Sequence, residues 1–483
     1  MNYKEKQLKD KGGFINRLFK VKSAAAILIG KTLIAATRVF GRGGTTLPGR
    51  IAQNIEPSIV SGLAAQTRDG SLVITGTNGK TTTAALITGI LKESGFSYIH
   101  NQSGSNMSWG VTTALVGAAS ITGKIRADYA VMEVDEGAFP GVTLNLKPRV
   151  IVVTNIFRDQ LDRYGEIDRI QDAIRQGLKA QPTEGYQVIN ADDPSLVALA
   201  GGDNSRRLTY GLDIELNTDY GRDSVKDLKT CRHCGKELAY ERIYYAHLGH
   251  FYCPNCGYSR PEPDIKLTGY SKNRSGSARL EIQYPGGLMN FNFPLPGIYN
   301  LYNVLAAAAC ALSLQIDPLI ISTALEKATP AFGRMEQFTY RDKRIVMALI
   351  KNPVGANEVM RTILNEEGKI SLMVAINDKI ADGTDVSWLW DVDFEQLASI
   401  SNQLSVVTAS GLRAWDMGVR FKYAGISTDE ITVTENTAEA LHSALAATDS
   451  GNSLFILPSY TAMLELRRHL NRMGLGKPYW EDR

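Results

Sequence analysis

An α/β fold built on a phosphate-binding loop, interrupted by a cysteine-rich insert and followed by a second α/β unit, is what this sequence predicts. Three observations lead there. Apolar, β-branched runs such as SLVITG (from Ser71), YAVMEVDEG (from Tyr129) and RVIVVTNI (from Arg149) alternate with helix-like stretches, which argues a parallel sheet covered on both faces. The first of those runs leads into GTNGKTTT, a glycine-rich turn that opens a helix. Beyond Pro330-Ala331-Phe332-Gly333 the alternation restarts with RIVMALI, ISLMVAI, LSVVTAS and SLFILPSY. Polar side chains gather just after the strands, at Lys80, Glu133, Asp135, Asn155 and Asp192. Open α/β sheets bind ligands at that edge.

A chain of 483 residues allows two or three domains with ample core. With 44% hydrophobic residues, 21% charged residues and a net charge of +3, the composition is that of a soluble globular protein. Its charge is too mild to imply nucleic acid. The basic excess is concentrated at the start: Lys4, Lys6, Lys9, Lys11, Arg17, Lys20, Lys22, Lys31, Arg38, Arg42 and Arg50 stand against Glu5 and Asp10. Within it, AAAILIGKTLIAATRVF (from Ala24) is broken by Lys31 and Arg38 and is too short to span a bilayer. It also lacks the small-residue cleavage site of a secretory signal. A cytoplasmic protein is the expectation. Segment 1–45 is read either as a helix packed on the first domain or as a basic amphipathic helix lying on an anionic membrane surface.

In GTNGKTTT, Gly79-Lys80-Thr81 matches the end of the G-x-x-x-x-G-K-[ST] pattern, but Ile74 stands where its first glycine falls. Gly76 is two residues closer to the lysine. Taken alone, the stretch is either a simple turn before a helix or a phosphate cradle. In a cradle, successive backbone N–H groups and a helix N-terminus converge on the anion. Lys80 would then reach the β- and γ-phosphates, and the Thr81 hydroxyl would hold Mg²⁺. Gly76, Thr77, Asn78, Gly79, Lys80, Thr81 and Thr82 are the candidate nucleotide-binding residues.

Four of the five cysteines form Cys231-Arg-His-Cys234 and Cys253-Pro-Asn-Cys256, each pair followed by a glycine, Gly235 and Gly257. The spacing matches a four-thiolate zinc site, closed and structural, in a ribbon at about 228–263. Two disulfides are the other reading, one that a reducing compartment disfavours. Cys310, in LAAAACAL, reads as a small buried residue.

The shortened loop resembles that of the Mur ligase superfamily, which includes folylpolyglutamate synthases. Other resemblances follow in chain order. They are NQSGSNM (Asn101–Met107), the strand-ending Glu133, TNIFRDQLDRYG (from Thr154) and NADDP (Asn190–Pro194). Next come PGIYNLYNVLAAAA with Asn300 and Asn303 one helical turn apart, and Gly333-Arg334-Met335-Glu336. The resemblance implies a central ATP-binding domain over 46–330 and a C-terminal Rossmann-like α/β domain over 331–483. It also implies ATP-driven formation of an acyl phosphate that an amine attacks. By the same resemblance Glu133 joins Thr81 on Mg²⁺, Asn300 and Asn303 contact the adenine, and Arg334 lies at the domain junction.

Three departures narrow the branch. About seventy residues precede the loop, leaving no room for the UDP-sugar domain of the muropeptide ligases. Gln160 replaces a metal-binding histidine, and Arg175 replaces a lysine carbamylated in many members. One Mg²⁺ is therefore expected. The cysteine ribbon, MEVDEG and NDKIADGTDVSWLWD (Asn377–Asp391) resemble the MurT branch. Its members are synthetase subunits that amidate the D-glutamate α-carboxylate of lipid II with ammonia from a GatD glutaminase subunit. This chain offers no convincing Cys–His pair of its own, so a partner must supply the thiolate. By resemblance Asp385 completes the partner's triad, with Asp382 as the fallback. Otherwise these acids cap a helix start. Lys351, in the family's H-N-P block, faces either phosphate and substrate or solvent. Trp388 and Trp390 belong either to the partner interface or to the core. An amino-acid-adding ligase of folylpolyglutamate or muropeptide type and a non-catalytic nucleotide switch are the competing functions.

Overall fold

The computed structural model describes residues 21–37, 46–101, 105–157, 167–199, 206–215, 228–273, 277–330 and 333–476. Gln160 falls outside them. Among the described residues, the central unit is built on strands β1 (Ser71–Thr75), β2 (Tyr98–His100), β3 (Tyr129–Glu133), β4 (Val150–Val153), β5 (Tyr186–Asn190) and β6 (Arg206–Leu212). After a separate hairpin, β7 (Ala239–Tyr245) and β8 (Leu248–Tyr252), the unit closes with β9 (Ile265–Lys272), β10 (Ala278–Tyr284) and β11 (Gly287–Phe293). The sheet order is β11-β10-β9-β6-β5-β4-β1-β3-β2, parallel from β2 through β9 and antiparallel at the β9–β11 edge.

This order explains where a site can form. The chain leaves β1 toward β2 on one side, and later crosses from β3 to β4 on the other, so the switch of direction falls beside β1. Register brings Ile74 level with Glu133 and Thr75 level with Val153. The glycine-rich loop, Glu133 and Thr154 therefore emerge at one sheet edge. Each central strand is buried throughout, as a sheet covered on both faces requires. Leu72 and Ile74 face a layer formed by helices Lys80–Glu93 and Ile298–Ser313, whereas Val73 faces helices Ser108–Ala118 and Phe139–Leu146. Ala306 to Ala309 of the long helix are fully buried, and their small size lets that helix lie close to Lys80–Glu93, β5 and β6.

Helix 21–37 packs on the body rather than standing off it. Ala26 and Ile27 are buried, and Lys31 Nζ donates to the Gly117 carbonyl at 2.7 Å. A Cβ at Gly30 would sit 2.7 Å from Val116 Cγ1. The opposite face leaves Val21, Leu28 and Ile29 exposed. No helix among the described residues is long and apolar enough to cross a membrane.

The C-terminal unit has strands β12 (Glu336–Tyr340), β13 (Lys343–Met347), β14 (Ile370–Ala375), β15 (Leu404–Ser410), β16 (Ile431–Thr434) and β17 (Ser453–Pro458). They are ordered β12-β13-β17-β14-β15-β16, and only the β12–β13 hairpin is antiparallel. The junction turns at Gly333 and Met335, both in the left-handed region, and Arg467 Nη1 anchors Glu336 Oε2 at 2.6 Å. Tight packing of the alanine helix makes a definite prediction. Ala307→Leu forces extra volume between helix and sheet and costs about 1–3 kcal/mol. A chemical-denaturation midpoint shifted down without a change of slope would report it.

Candidate active site

The loop between β1 and the next helix is held open by two residues that follow β4. Gly76 and Gly79 take φ values of +119° and +87°, which side chains rarely adopt. Asn155 accepts from Thr77 N through its carbonyl and from Asn78 N through Oδ1, each at 2.9 Å. Thr154 Oγ1 donates to the Asn78 carbonyl at 2.7 Å, and Asn155 Nδ2 donates to the same oxygen at 3.1 Å. A Cβ at Gly76 would come within 2.8 Å of Asn155 O, and one at Gly79 would strike Asn303 Oδ1. The helix Lys80–Glu93 that follows starts from Gly79, which has no side chain to cap it, so the helix N-terminus opens directly from the loop. The cradle therefore fits an anion.

Around it stand the residues the sequence singled out. Thr81 Oγ1 donates to Glu133 Oε1 at 3.0 Å. Glu133 is fixed in turn by Asn101, whose Oδ1 accepts from Glu133 N at 2.8 Å and whose Nδ2 donates to the Glu133 carbonyl at 2.7 Å. Burial pushes the Glu133 carboxyl up, while Lys80, the Thr81 hydroxyl, Arg334 and Lys351 pull it down. A hydroxyl and a carboxylate held together in this way form a hard-oxygen pair suited to Mg²⁺. Lys80 is buried and bonds the Gly76 and Thr77 carbonyls. Its counter-ion is Glu136 at 3.1 Å, a residue that sequence reasoning passed over within MEVDEG.

Asn303 Nδ2 donates to Asn300 Oδ1 at 3.2 Å, and Thr83 Oγ1 donates to Asn303 Oδ1 at 3.3 Å, so Asn303 meets the loop at Gly79 and Asn300 stands behind it as its partner. The C-terminal unit closes over them. Asn352, in the KNP block, accepts from Gly355 N at the start of helix Pro353–Leu364 and donates to Asn78 Oδ1 at 3.1 Å. A cleft open to solvent, enclosing about 650 Å³ of space with the solvent at its mouth included, lies in this junction, lined among others by Asn78, Gly79, Thr82, Asn303, Arg334 and Glu358. Burial lowers the Arg334 guanidinium, opposed first by Glu133.

Three lining residues were not among the sequence candidates. Burial pushes the Glu358 carboxyl up to about 7, against the pull of Arg361. Tyr299 sits in PGIYN, but only its asparagine drew attention. Tyr245 comes from the ribbon hairpin, far from the loop in sequence. Arg175 lies on the exposed side of helix Ile167–Lys179, ion-paired with Asp172.

The four cysteine sulfurs lie within 4.8 Å of one another, with Cys231–Cys256 at 3.6 Å and Cys234–Cys253 at 3.5 Å. No disulfide links them. Tetrahedral Zn–S bonds of about 2.3 Å put sulfurs roughly 3.8 Å apart, so the cluster fits such an ion. Each pair has the same turn: Gly235 N donates to Cys231 O at 2.9 Å and Gly257 N to Cys253 O at 3.1 Å. Cys310 is buried, and that burial pushes its thiol up to about 12, away from nucleophilic use.

Asp385 accepts from Ser387 N at 2.8 Å and Ser387 Oγ at 2.9 Å, starting the short helix Ser387–Asp391. Asp382 is buried and accepts from Thr461 N at 2.7 Å and Thr461 Oγ1 at 2.6 Å. Asp385 is thus the more surface-facing acid. Trp388 is half-buried against the C-terminal core, whereas Trp390 is exposed.

Residues 74–256 match the family described as Mur ligase middle domain, and residues 349–463 match MurT ligase C-terminal. The chain is 34% identical over 455 residues to the lipid II isoglutaminyl synthase (glutamine-hydrolyzing) subunit MurT of Streptococcus pneumoniae, covering 93% of this chain and 97% of that one. The same subunit of Staphylococcus aureus is 32% identical, with 93% and 98% covered. Among solved structures, a pseudomurein peptide ligase type C from Methanothermus fervidus superimposes with a TM-score of 0.65 at 24% identity, covering 85% of this chain and 80% of that one. MurF ligase from Thermotoga maritima in complex with ADP gives 0.59 at 14%, covering 88% and 85%. At these identities the structures speak for the fold.

Two outcomes follow from the geometry. Gly79→Ala, which combines a left-handed backbone with a collision at Asn303, weakens binding of a fluorescent ATP analogue by at least roughly tenfold, about 1.4 kcal/mol. Gly89→Ala, on the same helix with open space around it, leaves binding unchanged. In the second case, Glu358 holds its proton up to about pH 7 in the fold but would ionise near 4.5 when unfolded. The unfolded state therefore binds fewer protons between those values, and stability falls as pH rises through that window. Glu358→Gln flattens that fall, read as denaturation midpoints at pH 5 and pH 8.

Proposed function

The chain belongs to the MurT family of Mur ligases, and from that premise we propose that it is the synthetase subunit of a lipid II isoglutaminyl synthase. It is an ATP-dependent carbon–nitrogen ligase of peptidoglycan synthesis that amidates the α-carboxylate of D-glutamate in the lipid II stem peptide. The observation that carries this reading is a cavity between two domains lined by loop residues Asn78 and Gly79 and by Arg334, with Lys80 and the Thr81–Glu133 pair following directly on that loop.

The chemistry runs in two steps. A carboxylate oxygen of the substrate attacks the γ-phosphorus of ATP, the bond to the β-phosphate oxygen breaks, and ADP leaves an acyl phosphate. Ammonia then attacks the acyl carbon, inorganic phosphate departs, and the nitrogen loses a proton to give D-isoglutamine. The loop and the helix N-terminus bind the phosphates, and Lys80 turns from Glu136 toward the γ-phosphate. Thr81 and Glu133 would hold Mg²⁺, which supplies positive charge where the transferred group is most anionic. Arg334 and Lys351, both close enough to influence Glu133, orient the substrate carboxylate and the acyl phosphate. Arg175 makes its ion pair on the exposed side of its helix, which supports a single Mg²⁺. Cys231, Cys234, Cys253 and Cys256 hold a structural Zn²⁺.

Ammonia comes from a GatD-like glutaminase subunit, because no cysteine here is placed to attack glutamine. An exposed stripe supports where that subunit docks. Trp415, Val419 and Tyr423 recur one turn apart on helix Ala414–Tyr423, with Trp390 packed edge-on to Tyr423 at 5.6 Å. Asp385 projects from the loop just before Trp390 and orients the partner's histidine. The exposed apolar face of helix 21–37, with Lys22 at its start, supports contact of a cytoplasmic enzyme with the membrane that carries lipid II.

The test is amidation of lipid II with ATP and Mg²⁺, followed by mass spectrometry. Ammonium alone yields amide, and glutamine does so only with the partner present. Asp385→Asn loses the glutamine-driven reaction and keeps the ammonium-driven one. Glu133→Gln lowers both by roughly a hundredfold, the scale of losing one transition-state electrostatic contact. ATP consumption that requires a free amino acid instead of ammonium would sink the proposal in favour of an amino-acid-adding ligase.

A further inference from the structure

The cysteine ribbon reaches the nucleotide cavity. Its metal-binding pairs flank a hairpin: Cys231 and Cys234 precede β7, and Cys253 directly follows β8. At about 3.3 Å per residue, the seven-residue β7 carries the chain roughly 20 Å from the cysteines to the hairpin tip. That tip, Tyr245 to Leu248, is buried in the central domain. It does not merely rest there. Tyr245 and His247 both pack edge-on against Phe157, at 5.1 and 5.0 Å between ring centres. Phe157 in turn exchanges hydrogen bonds with loop residue Thr77, its N–H donating to Thr77 Oγ1 at 3.0 Å and its carbonyl accepting at 3.3 Å. Tyr245 Oη accepts from Asn78 Nδ2 at 3.5 Å, and Tyr245 lines the cavity beside Asn78.

The hairpin is also bolted along its length. Gly249 N donates to the Asp192 carbonyl at 3.0 Å, and Arg260 Nε donates to buried Asp192 Oδ1 at 2.6 Å. At the far end, a two-stranded hairpin of this size has little independent stability, so the cysteine cluster closes its open end. Burial holds the Tyr245 hydroxyl protonated well above the ordinary tyrosine range. Its O–H can therefore be donated to a ligand oxygen or nitrogen while its lone pair receives Asn78.

We propose that Tyr245 is a nucleotide-contacting residue, and that metal held by Cys231, Cys234, Cys253 and Cys256 sustains nucleotide affinity by fixing the hairpin that presents it. The ligand class is a nucleoside triphosphate with its phosphates in the loop. This rests on the nucleotide reading of the cavity. A wild-type protein that binds no adenine nucleotide would defeat that reading. Wild-type binding that ignores Tyr245 would defeat this proposal alone.

The experiment measures equilibrium binding of a fluorescent, non-hydrolysable ATP analogue to the full chain, without turnover. Tyr245→Phe keeps the ring and removes the hydroxyl, and it weakens binding roughly three- to tenfold, the worth of one hydrogen bond. Stripping the metal with a chelator weakens binding by at least as much, and added zinc restores it. In the stripped protein Tyr245→Phe has no further effect, because the hairpin no longer presents the side chain. That non-additivity separates presentation by the hairpin from two independent structural losses. Binding by Tyr245→Phe within twofold of wild type, or metal-free protein that binds normally, would overturn the proposal. If stripping melts the whole chain, as a thermal scan would reveal, the Tyr245→Phe result decides it alone.

Discussion

Thr154 and Asn155 impose the constraint on which the site depends. The loop from Gly76 to Gly79 bends through left-handed glycines at both ends. Its shape comes from the adjacent strand end, through four hydrogen bonds to Thr77 and Asn78. Each is worth roughly 0.5–1.5 kcal/mol net, and together they keep the uncapped helix N-terminus facing the cavity. The parallel register of β1 with β3 and β4 is what makes this possible, since it brings Glu133 and Thr154 to the level of the loop. An anion site, a metal-ligand pair and a clamp thus arise from three neighbouring strand ends.

The same loop is the meeting point of the molecule's other parts. Asn303 approaches Gly79 from the alanine helix, Asn352 reaches Asn78 from the C-terminal domain, and Tyr245 arrives from the ribbon. Lys80 and Glu136 form a buried pair beneath it. A lone buried charge is costly, and removing one partner of such a pair typically costs about 3–5 kcal/mol. Glu136 thus holds Lys80 in place beneath the loop. This arrangement joins both domains at the loop, where Asn352 meets Asn78 and residues of both units line one cavity.

Local sequence carried much of this. The alternation of apolar runs marks both sheets; of the residues picked out, Asn78, Gly79, Thr82, Asn303 and Arg334 line the cavity, while Asn300 bonds Asn303 and Glu133 bonds Thr81. The cysteine spacing forecasts a cluster with matching turns, and the cluster is there. What stayed hidden is tertiary in origin. Glu136 and Glu358 look like ordinary charged residues in sequence, and only burial distinguishes them. Tyr245 is separated from Asn78 by 167 positions, and no periodicity in a short hairpin tells which end of it enters the core. Thr154 and Asn155 lay in a recognised motif, yet their task of bonding a loop nearly eighty residues earlier depends on strand order. Asp385 shows a different limit. Its bonds to Ser387 satisfy the helix-start reading, while any role toward a second subunit is expressed only when that subunit is bound.

Transfer of the γ-phosphoryl group to a carboxylate of the lipid-linked peptide moves a carboxylate oxygen into the phosphate. Heavy-oxygen labelling tests it most directly. Lipid II carrying heavy oxygen in the D-glutamate α-carboxylate would be incubated with the enzyme, ATP, Mg²⁺ and ammonium, and the released phosphate examined by mass spectrometry. Phosphoryl transfer to the carboxylate puts one heavy oxygen in each inorganic phosphate, formed in step with the amide. Unlabelled phosphate accompanying amide, or label appearing in AMP instead, would contradict it.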